Sequence, residues 1–140
     1  MRLIFSLAAI ALAAGPVLAQ ETTGDADAGK AAFMQCAACH QVITPSGEKL
    51  AGMAPVGPNL YGVAGRSAGT VEGYAYSDGL VALGEAGITW TEDNFVEYVA
   101  DPNGYIKANT DVSGAAKMTF MQKDAATVKN IYAYLASLAE

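Results

Sequence analysis

The sequence predicts a small all-α fold in which short helices are separated by long loops. Capping residues precede apolar residues at helical spacing, most clearly where Asp124 stands ahead of Val128, Ile131 and Leu135. The segments between are rich in Gly, Pro and Asn, and no stretch alternates convincingly as a strand would. Both cysteines and the single histidine of the 140 residues fall within 36–40. The fold is therefore expected to be organised around that stretch.

Residues 1–19 have the features of a signal peptide. Arg2 supplies a positive start, Leu3 to Ala14 form a short apolar run, and a small-residue cleavage site ends at Ala19. The run is too short to cross a bilayer, which argues against the alternative of an uncleaved membrane anchor. We therefore expect an exported, soluble chain with a single domain over residues 20–140.

The first helix of the mature chain is predicted to begin at a cap, Asp25 or Asp27, and to end near Ala38. The polar residues 20–24 before it are expected to fray. Gly29 is a poor helix former at mid-helix, so its presence indicates that another helix crosses close by.

The segment Cys36-Ala37-Ala38-Cys39-His40 has the spacing of c-type haem attachment. Two thiols one helical turn apart can form thioethers with the two vinyl groups of one porphyrin, and the next imidazole can bind the iron. No other cysteine or histidine competes for these roles. We therefore expect one haem c, covalently attached through Cys36 and Cys39, with His40 as an iron ligand.

The segment is open to three other interpretations. A dithiol redox motif is expected within a βαβ unit, which this pattern of helices and loops does not provide. A zinc site requires four ligands at characteristic spacings, and only three soft ligands are present. A chance C-x-x-C-H is common enough in cytosolic chains to be considered, and the export signal argues against it.

The rest of the chain is predicted to be loops and short helices. Residues 41–56 form a loop or hairpin with a turn at 44–47, residues 57–60 return the chain towards the haem, and 61–73 are irregular and rich in Gly. Capping patterns then predict four helices, with a polar loop over 107–117. The first follows Ser77, over 80–83, and the second starts at Thr91 and ends at Asp101. The third starts at Pro102 and includes Tyr105 and Ile106, and the fourth follows Asp124.

A haem-based electron carrier needs a second axial ligand, commonly a methionine. Four methionines remain after signal removal: Met34, Met53, Met118 and Met121. Met34 is too close to Cys36 to reach the other haem face, and Met53 lies in the loop after the histidine. Met118, in a polar loop before the last helix, is the first candidate and Met121 the second.

At these residues the chain resembles the class I cytochromes c, most of all the bacterial cytochrome c2 branch and the similar c550 carriers. The resemblance extends over essentially the whole mature chain. Its motifs in chain order are 36–40, Gly57–Gly62, Ile88–Trp90, Glu97-Tyr98 and Lys117–Phe120. It implies a cytochrome c fold, with helices and long loops wrapped around the haem and with the N- and C-terminal helices crossing where Gly29 and Phe33 meet Ile131 and Tyr134.

The resemblance also implies roles for individual residues. The carbonyl of Pro58 would orient His40, and Trp90 would touch a haem propionate. The hydroxyl of Tyr98 would approach the sulfur of Met118, which the resemblance makes the second iron ligand.

Arg66 resembles the arginine that neutralises a propionate through charge-assisted hydrogen bonds; the alternative is an ordinary surface arginine. Tyr76 and Trp90 are further propionate donors. Two departures remove polar groups from the pocket: Ala116 stands where many relatives carry a hydroxyl, and Leu80 where some carry asparagine.

The mature chain is acidic. Of eight Lys and Arg residues, Arg2 lies in the signal peptide, so seven remain against 14 Asp and Glu, a net charge of −7. This charge argues against nucleic acid and anionic membranes as partners. We nevertheless expect a dipolar molecule whose positive end is the haem edge, because five lysines fall in segments near it; the alternative is a scatter of solvated charges. These are Lys30, Lys49, Lys107, Lys117 and Lys123.

The sequence thus predicts a periplasmic, monomeric electron carrier and not an enzyme. The resemblance implies a quinol-oxidising cytochrome bc complex as donor and a photosynthetic reaction centre or a respiratory terminal oxidase as acceptor. Two alternatives remain: a haem c enzyme or sensor, peroxidase-like, with a displaceable distal ligand, and a subunit of a larger redox complex.

Overall fold

A computed structural model of the chain describes residues 21–139, so the predicted signal peptide, 1–19, lies outside the described residues. Within that range six helices and one two-stranded hairpin form, and the all-α class is confirmed. None of these helices combines the length and the hydropathy needed to cross a membrane. In chain order the elements are α1 Ala26–Ala32, α2 Met34–Ala37, β1 Gln41–Ile43, β2 Lys49–Gly52, α3 Asp78–Glu85, α4 Glu92–Ala100, α5 Pro102–Asn109 and α6 Ala125–Ser137.

Helix starts are where the capping residues predict them. Asp25, Ser77, Thr91 and Asp124 each accept a backbone N–H of the first turn of α1, α3, α4 and α6. Asp101 does the same for α5, whose first residue is proline. The predicted helix 25–38 is interrupted at Phe33, where α1 ends and α2 begins.

Residues 41–52 form a hairpin, which is one of the two forms predicted for 41–56, although the sequence shows no convincing strand pattern there. Here β1 and β2 pair antiparallel, with Gln41 opposite Gly52 and an irregularity after Val42. The predicted turn closes them, because the Gly47 amide donates to the Thr44 carbonyl at 2.9 Å. Strands of three and four residues are too short to show alternation, and the burial of Val42 holds them in place.

The predicted loop 107–117 begins later than expected, at Thr110. Residues 107–109 continue α5, whose last turn is stabilised by a bond from the Asn109 side-chain amide to the Tyr105 carbonyl at 2.9 Å.

The terminal helices cross at Gly29, as predicted. A Cβ placed on Gly29 would overlap the backbone carbonyl of Asn130 and lie 2.9 Å from the Tyr134 Cβ. The Phe33 and Tyr134 rings meet at 5.7 Å between centroids. Only glycine permits α1 and α6 to approach this closely.

Residues 23 and 24 do not fray, contrary to expectation. The buried carboxylate of Glu92 accepts the Thr23 amide at 2.7 Å, the Thr23 hydroxyl at 2.6 Å and the Gly24 amide at 3.2 Å. Lys129 of α6 lies 3.8 Å from the same carboxylate. We call this set of contacts the Glu92 clasp. It fixes the chain ahead of α1 to the start of α4 and to α6.

The Glu92 clasp predicts a specific pH dependence of stability. Burial raises the pKa of Glu92, but the hydrogen bonds from Thr23 and Gly24, with Lys129, outweigh burial and hold the pKa below its usual 4.5. A carboxyl with a lower pKa in the folded state stabilises the fold above its unfolded pKa. That stabilisation is lost as the pH falls through the folded pKa. Glu92→Gln should therefore lower the free energy of unfolding at pH 7 by about 2 kcal/mol.

The measurement is denaturant unfolding at a series of pH values from neutral to acid. The difference between wild type and Glu92→Gln should shrink as the pH falls below about 4.5. Glu97→Gln, at an exposed position on the same helix, is the control and should change stability by less than about 0.5 kcal/mol. A difference that persists unchanged at acid pH would show that the Glu92 carboxylate is not the stabilising group.

Candidate haem site

A cavity of about 550 Å³ opens between α2, the segment after the hairpin, the loop before α6, and α6 itself. Its lining includes all nine residues that the sequence assigned to the site. These are Cys36, Cys39, His40, Pro58, Arg66, Tyr76, Trp90, Tyr98 and Met118. Residues from five separate parts of the chain are thus brought to one place.

The two cysteines lie at the cavity wall, Cys36 half-buried and Cys39 exposed. Burial, with a smaller contribution from Cys39, raises the pKa of the Cys36 thiol to about 11. Because the thiolate is the species that attacks disulfides, a thiol with so high a pKa is poorly suited to dithiol exchange. Across residues 21–139 no group of three or more His, Cys, Asp or Glu side chains could hold a metal ion, so the zinc interpretation lacks its ligands.

His40 is oriented by the backbone. Its Nδ1 lies 2.8 Å from the Pro58 carbonyl oxygen, so Nδ1 carries the proton and Nε2 is left as the metal-binding atom. Burial lowers the pKa of His40, while the bond to Pro58 acts in the opposite direction. The neutral imidazole, which is the form that binds metals, is favoured. Gly57 packs on this ring: a Cβ there would lie 2.7 Å from Nδ1 and 2.8 Å from Nε2.

Arg66 is half-buried at the cavity wall and is not an ordinary surface arginine. Its Nη1 donates to the Tyr61 carbonyl at 2.8 Å and its Nη2 to the Asn59 carbonyl at 3.1 Å. Its Nε is buried and has no hydrogen-bond partner among the described residues. The two carbonyls leave further guanidinium N–H groups available to bind a carboxylate at the cavity.

Tyr76 is a second polar group at the same wall. Its hydroxyl accepts the Val71 amide at 3.3 Å, and burial raises its pKa despite the opposing effects of that bond and of Arg66. The hydroxyl is therefore neutral and keeps a proton to donate. Arg66 and Tyr76 together fit a group that carries carboxylates.

Met118 is half-buried and lines the cavity. The other methionines of the described chain, Met34, Met53 and Met121, are between 52% and 65% exposed and do not line it. The thioether that the sequence ranked first is therefore the one placed at the site.

The chain around Met118 is held from both sides. The Ala116 amide donates to the Asn103 side chain at 2.7 Å, and Lys117 donates to the Ala75 carbonyl. The Gln122 amide donates to the Val99 carbonyl at 3.0 Å. These bonds fix the loop before α6 although it has no regular structure.

Aromatic side chains form the inner wall. The Trp90 and Tyr98 rings lie 5.0 Å apart between centroids, and both residues are buried. Burial, with smaller contributions from Tyr74 and Tyr76, raises the pKa of Tyr98 to about 12. Its hydroxyl is therefore a neutral donor towards the cavity. Trp90 is fixed by its carbonyl, which accepts the hydroxyl of Tyr132 at 2.8 Å.

Sequence reasoning missed Asn59 and Tyr61, whose carbonyls hold Arg66, and Lys117 as a bond between two loops. A signal was present for Asn59, because a short amide side chain directly after Pro58 commonly bonds to nearby backbone. Nothing in the sequence marked the carbonyl of Tyr61.

The cavity residues fit a covalently bound haem on chemical grounds. They supply two thiols, an imidazole with a free Nε2, one thioether and an arginine N–H that lacks a partner. This is the donor set that haem c uses for attachment, axial ligation and propionate binding.

Comparison with known proteins gives close relatives over most of the chain. No protein-family model matches it. It is 48% identical over 138 residues to the cytochrome c2 of Cereibacter sphaeroides, covering 96% of this chain and 94% of that one. It is 46% identical over 132 residues to the cytochrome c-551 of Roseobacter denitrificans, covering 94% and 91%.

The fold is similar to a solved cytochrome structure. The X-ray structure of cytochrome c2 from Rhodobacter sphaeroides matches with a TM-score of 0.79 at 45% identity, covering 83% of this chain and 97% of that one. The fold implied by the sequence resemblance is confirmed.

The contact of Gly57 with the His40 ring predicts a cost for any larger residue. Gly57→Ala should displace the imidazole and lower stability by about 1–3 kcal/mol, as overpacking does. The measurement is thermal unfolding together with the haem content of the purified protein. Gly114→Ala is the matched control, because a Cβ there meets nothing within 4 Å. Equal effects in the two variants would contradict the contact.

Proposed function

This chain belongs to the class I cytochromes c, in the group of cytochrome c2 and the c-550 and c-551 carriers, and on that premise we propose that it is a soluble periplasmic electron carrier. Members of this group are electron-transfer proteins and not enzymes. The signal peptide would be cleaved after Ala19, leaving one domain over 20–140.

The observation that carries the proposal is that His40 and Met118 line one cavity, and that His40 Nε2 and the Met118 sulfur have no hydrogen-bond partner among residues 21–139. Haem c, when bound, supplies an iron that gains and loses one electron. Cys36 and Cys39 would attach it, and His40 Nε2 and the Met118 thioether would be its axial ligands. With both axial positions taken by the protein, no position is left for a substrate.

The surrounding residues would adjust the environment of the group. Arg66, with Tyr76 and Trp90, would bind the propionates, and the guanidinium would offset their negative charge. The neutral hydroxyl of Tyr98 would donate towards the thioether. The apolar lining keeps water out of the site, and a dry, fixed site needs little rearrangement when its charge changes.

The proposed partners come from the family and from charge. The donor would be a quinol-oxidising cytochrome bc complex, and the acceptor a photosynthetic reaction centre or a terminal oxidase. Lys117 supports an approach at the cavity mouth, because it is an exposed cation on the cavity lining. Lys129 does not line the cavity and is engaged with Glu92.

The axial ligation is tested by a pair of methionine variants. Met118→Ala should remove the weak red absorption band of the oxidised protein and lower the reduction potential by about 0.1 V or more, since axial ligands control much of the range of haem potentials. Met121→Ala, at an exposed methionine three residues on, should do neither. Absorption spectra and redox titration measure both. A wild-type spectrum without low-spin haem, or an unchanged Met118→Ala, would favour the enzyme or sensor alternative.

Docking is tested by the dependence of the association rate on ionic strength. With an acidic-faced redox partner the rate should fall as salt rises, because salt screens the attraction. Lys117→Gln should lower the rate at low salt about two- to tenfold, since steering acts mainly on encounter. An unchanged red band in this variant shows that loss of the bond to the Ala75 carbonyl has not displaced Met118. Lys129→Gln, which removes the same charge away from the cavity, should leave the rate nearly unchanged. A wild-type rate that climbs with salt would show that the net negative charge dominates.

A further inference from the structure

Building on the proposed function, we propose that the β1–β2 hairpin positions the axial imidazole, and that Asn59 is the positioning residue through which it does so. The strands of the hairpin are not evident from the sequence, and the side chain of Asn59, which links β1 to the segment that carries Pro58, has no role in the assignments above.

The side chain of Asn59 pairs with a residue of β1 as another strand would. Its Oδ1 accepts the Ile43 amide at 2.9 Å, and its Nδ2 donates to the Ile43 carbonyl at 2.8 Å. The same Oδ1 also accepts the Tyr61 amide at 3.1 Å, which forms a local turn. Asn59 is half-buried, so these bonds are shielded from solvent in part.

The segment that carries Pro58 is anchored on both sides. The Gly57 amide donates to the Cys39 carbonyl at 2.6 Å, and the Leu60 amide donates to the Gln41 carbonyl at 3.0 Å. Pro58 therefore lies between two residues, Gly57 and Asn59, that are both hydrogen-bonded to other segments of the same chain. Proline has one soft dihedral fewer than other residues, so its carbonyl has little freedom to move away from His40.

The consequence for His40 is electronic. When a metal-binding histidine donates a hydrogen bond from Nδ1 to a carbonyl, its imidazole becomes a stronger electron-pair donor through Nε2. A stronger donor favours ferric iron. If the hairpin contact is lost, the bond from His40 to Pro58 lengthens, the imidazole becomes a weaker donor and the ferrous state is favoured.

A competing route predicts the opposite sign. The backbone carbonyl of Asn59 also accepts Nη2 of Arg66 at 3.1 Å. If the main effect of altering Asn59 were to release Arg66, positive charge would leave the site and the ferric state would be favoured. The direction of the shift therefore separates positioning of His40 from positioning of Arg66.

The test uses Asn59→Ser in the haem-containing protein. Serine can keep the local turn to the Tyr61 amide, but it is too short to pair with Ile43. Redox titration at a fixed ambient potential should show a ratio of ferrous to ferric protein about three- to tenfold higher than in the wild type. This effect is smaller than that of removing a hydrogen-bond partner of a metal-binding histidine altogether. Asn109→Ala is the control, because the Asn109 side chain donates to the Tyr105 carbonyl and neither residue lines the cavity. The ratio of ferrous to ferric protein should not change in this variant.

A second measurement needs no variant. Hydrogen exchange is measured on the wild-type reduced protein across a denaturant series. The Nδ1 proton of His40 and the amide proton of Ile43 should show equal protection at each denaturant concentration, because both exchange through the same local opening. An unchanged or lowered ferrous-to-ferric ratio in Asn59→Ser, or separate openings for the two protons, would overturn the inference. Those outcomes leave the proposed function intact as long as the wild-type red band is present, whereas its absence would overturn the proposed function itself.

Discussion

The contact of α1 with α6 at Gly29 is the constraint on which the rest of this structure depends. The segment with both cysteines continues directly from α1, and the apolar face of α6 lines the cavity through Val128, Ile131 and Leu135. The distance between the two helices therefore sets the width of the site. A methyl group at position 29 would collide with backbone, which cannot move aside as a flexible side chain can.

The two sides of the cavity are held by different means. On the histidine side the chain is fixed by bonds that resemble a sheet, between the hairpin and the segment around Pro58. On the methionine side it is fixed by isolated hydrogen bonds that Ala116, Lys117 and Gln122 donate to separate parts of the chain. The histidine side is thus a continuous unit, whereas the methionine side is a loop attached at points and can open locally at lower free energy.

Features encoded by neighbouring residues were predictable from the sequence, and most of those encoded by distant contacts were not. The crossing of α1 and α6 at Gly29 is the exception, because a glycine in mid-helix and the family resemblance both indicated it. The caps at Ser77 and Thr91 depend on residues three positions away, so their signal is local. The hairpin depends on the side chain of Asn59, 16 residues from Ile43, and the Glu92 clasp joins residues 69 positions apart. Glu92 itself looked like an ordinary acid in the first turn of a helix, and only the fold shows that it is buried.

The crossing of the terminal helices also bears on the order in which the chain can be completed. The cysteines belong to the first third of the sequence, whereas α6, which closes the core over them, extends to Ser137. Long-range contacts of this kind form only when both partners are present. A chain that emerges with its N-terminus first therefore presents Cys36 and Cys39 while the site is still open on one side. The same topology that encloses the finished site leaves both thiols accessible while the chain is being completed.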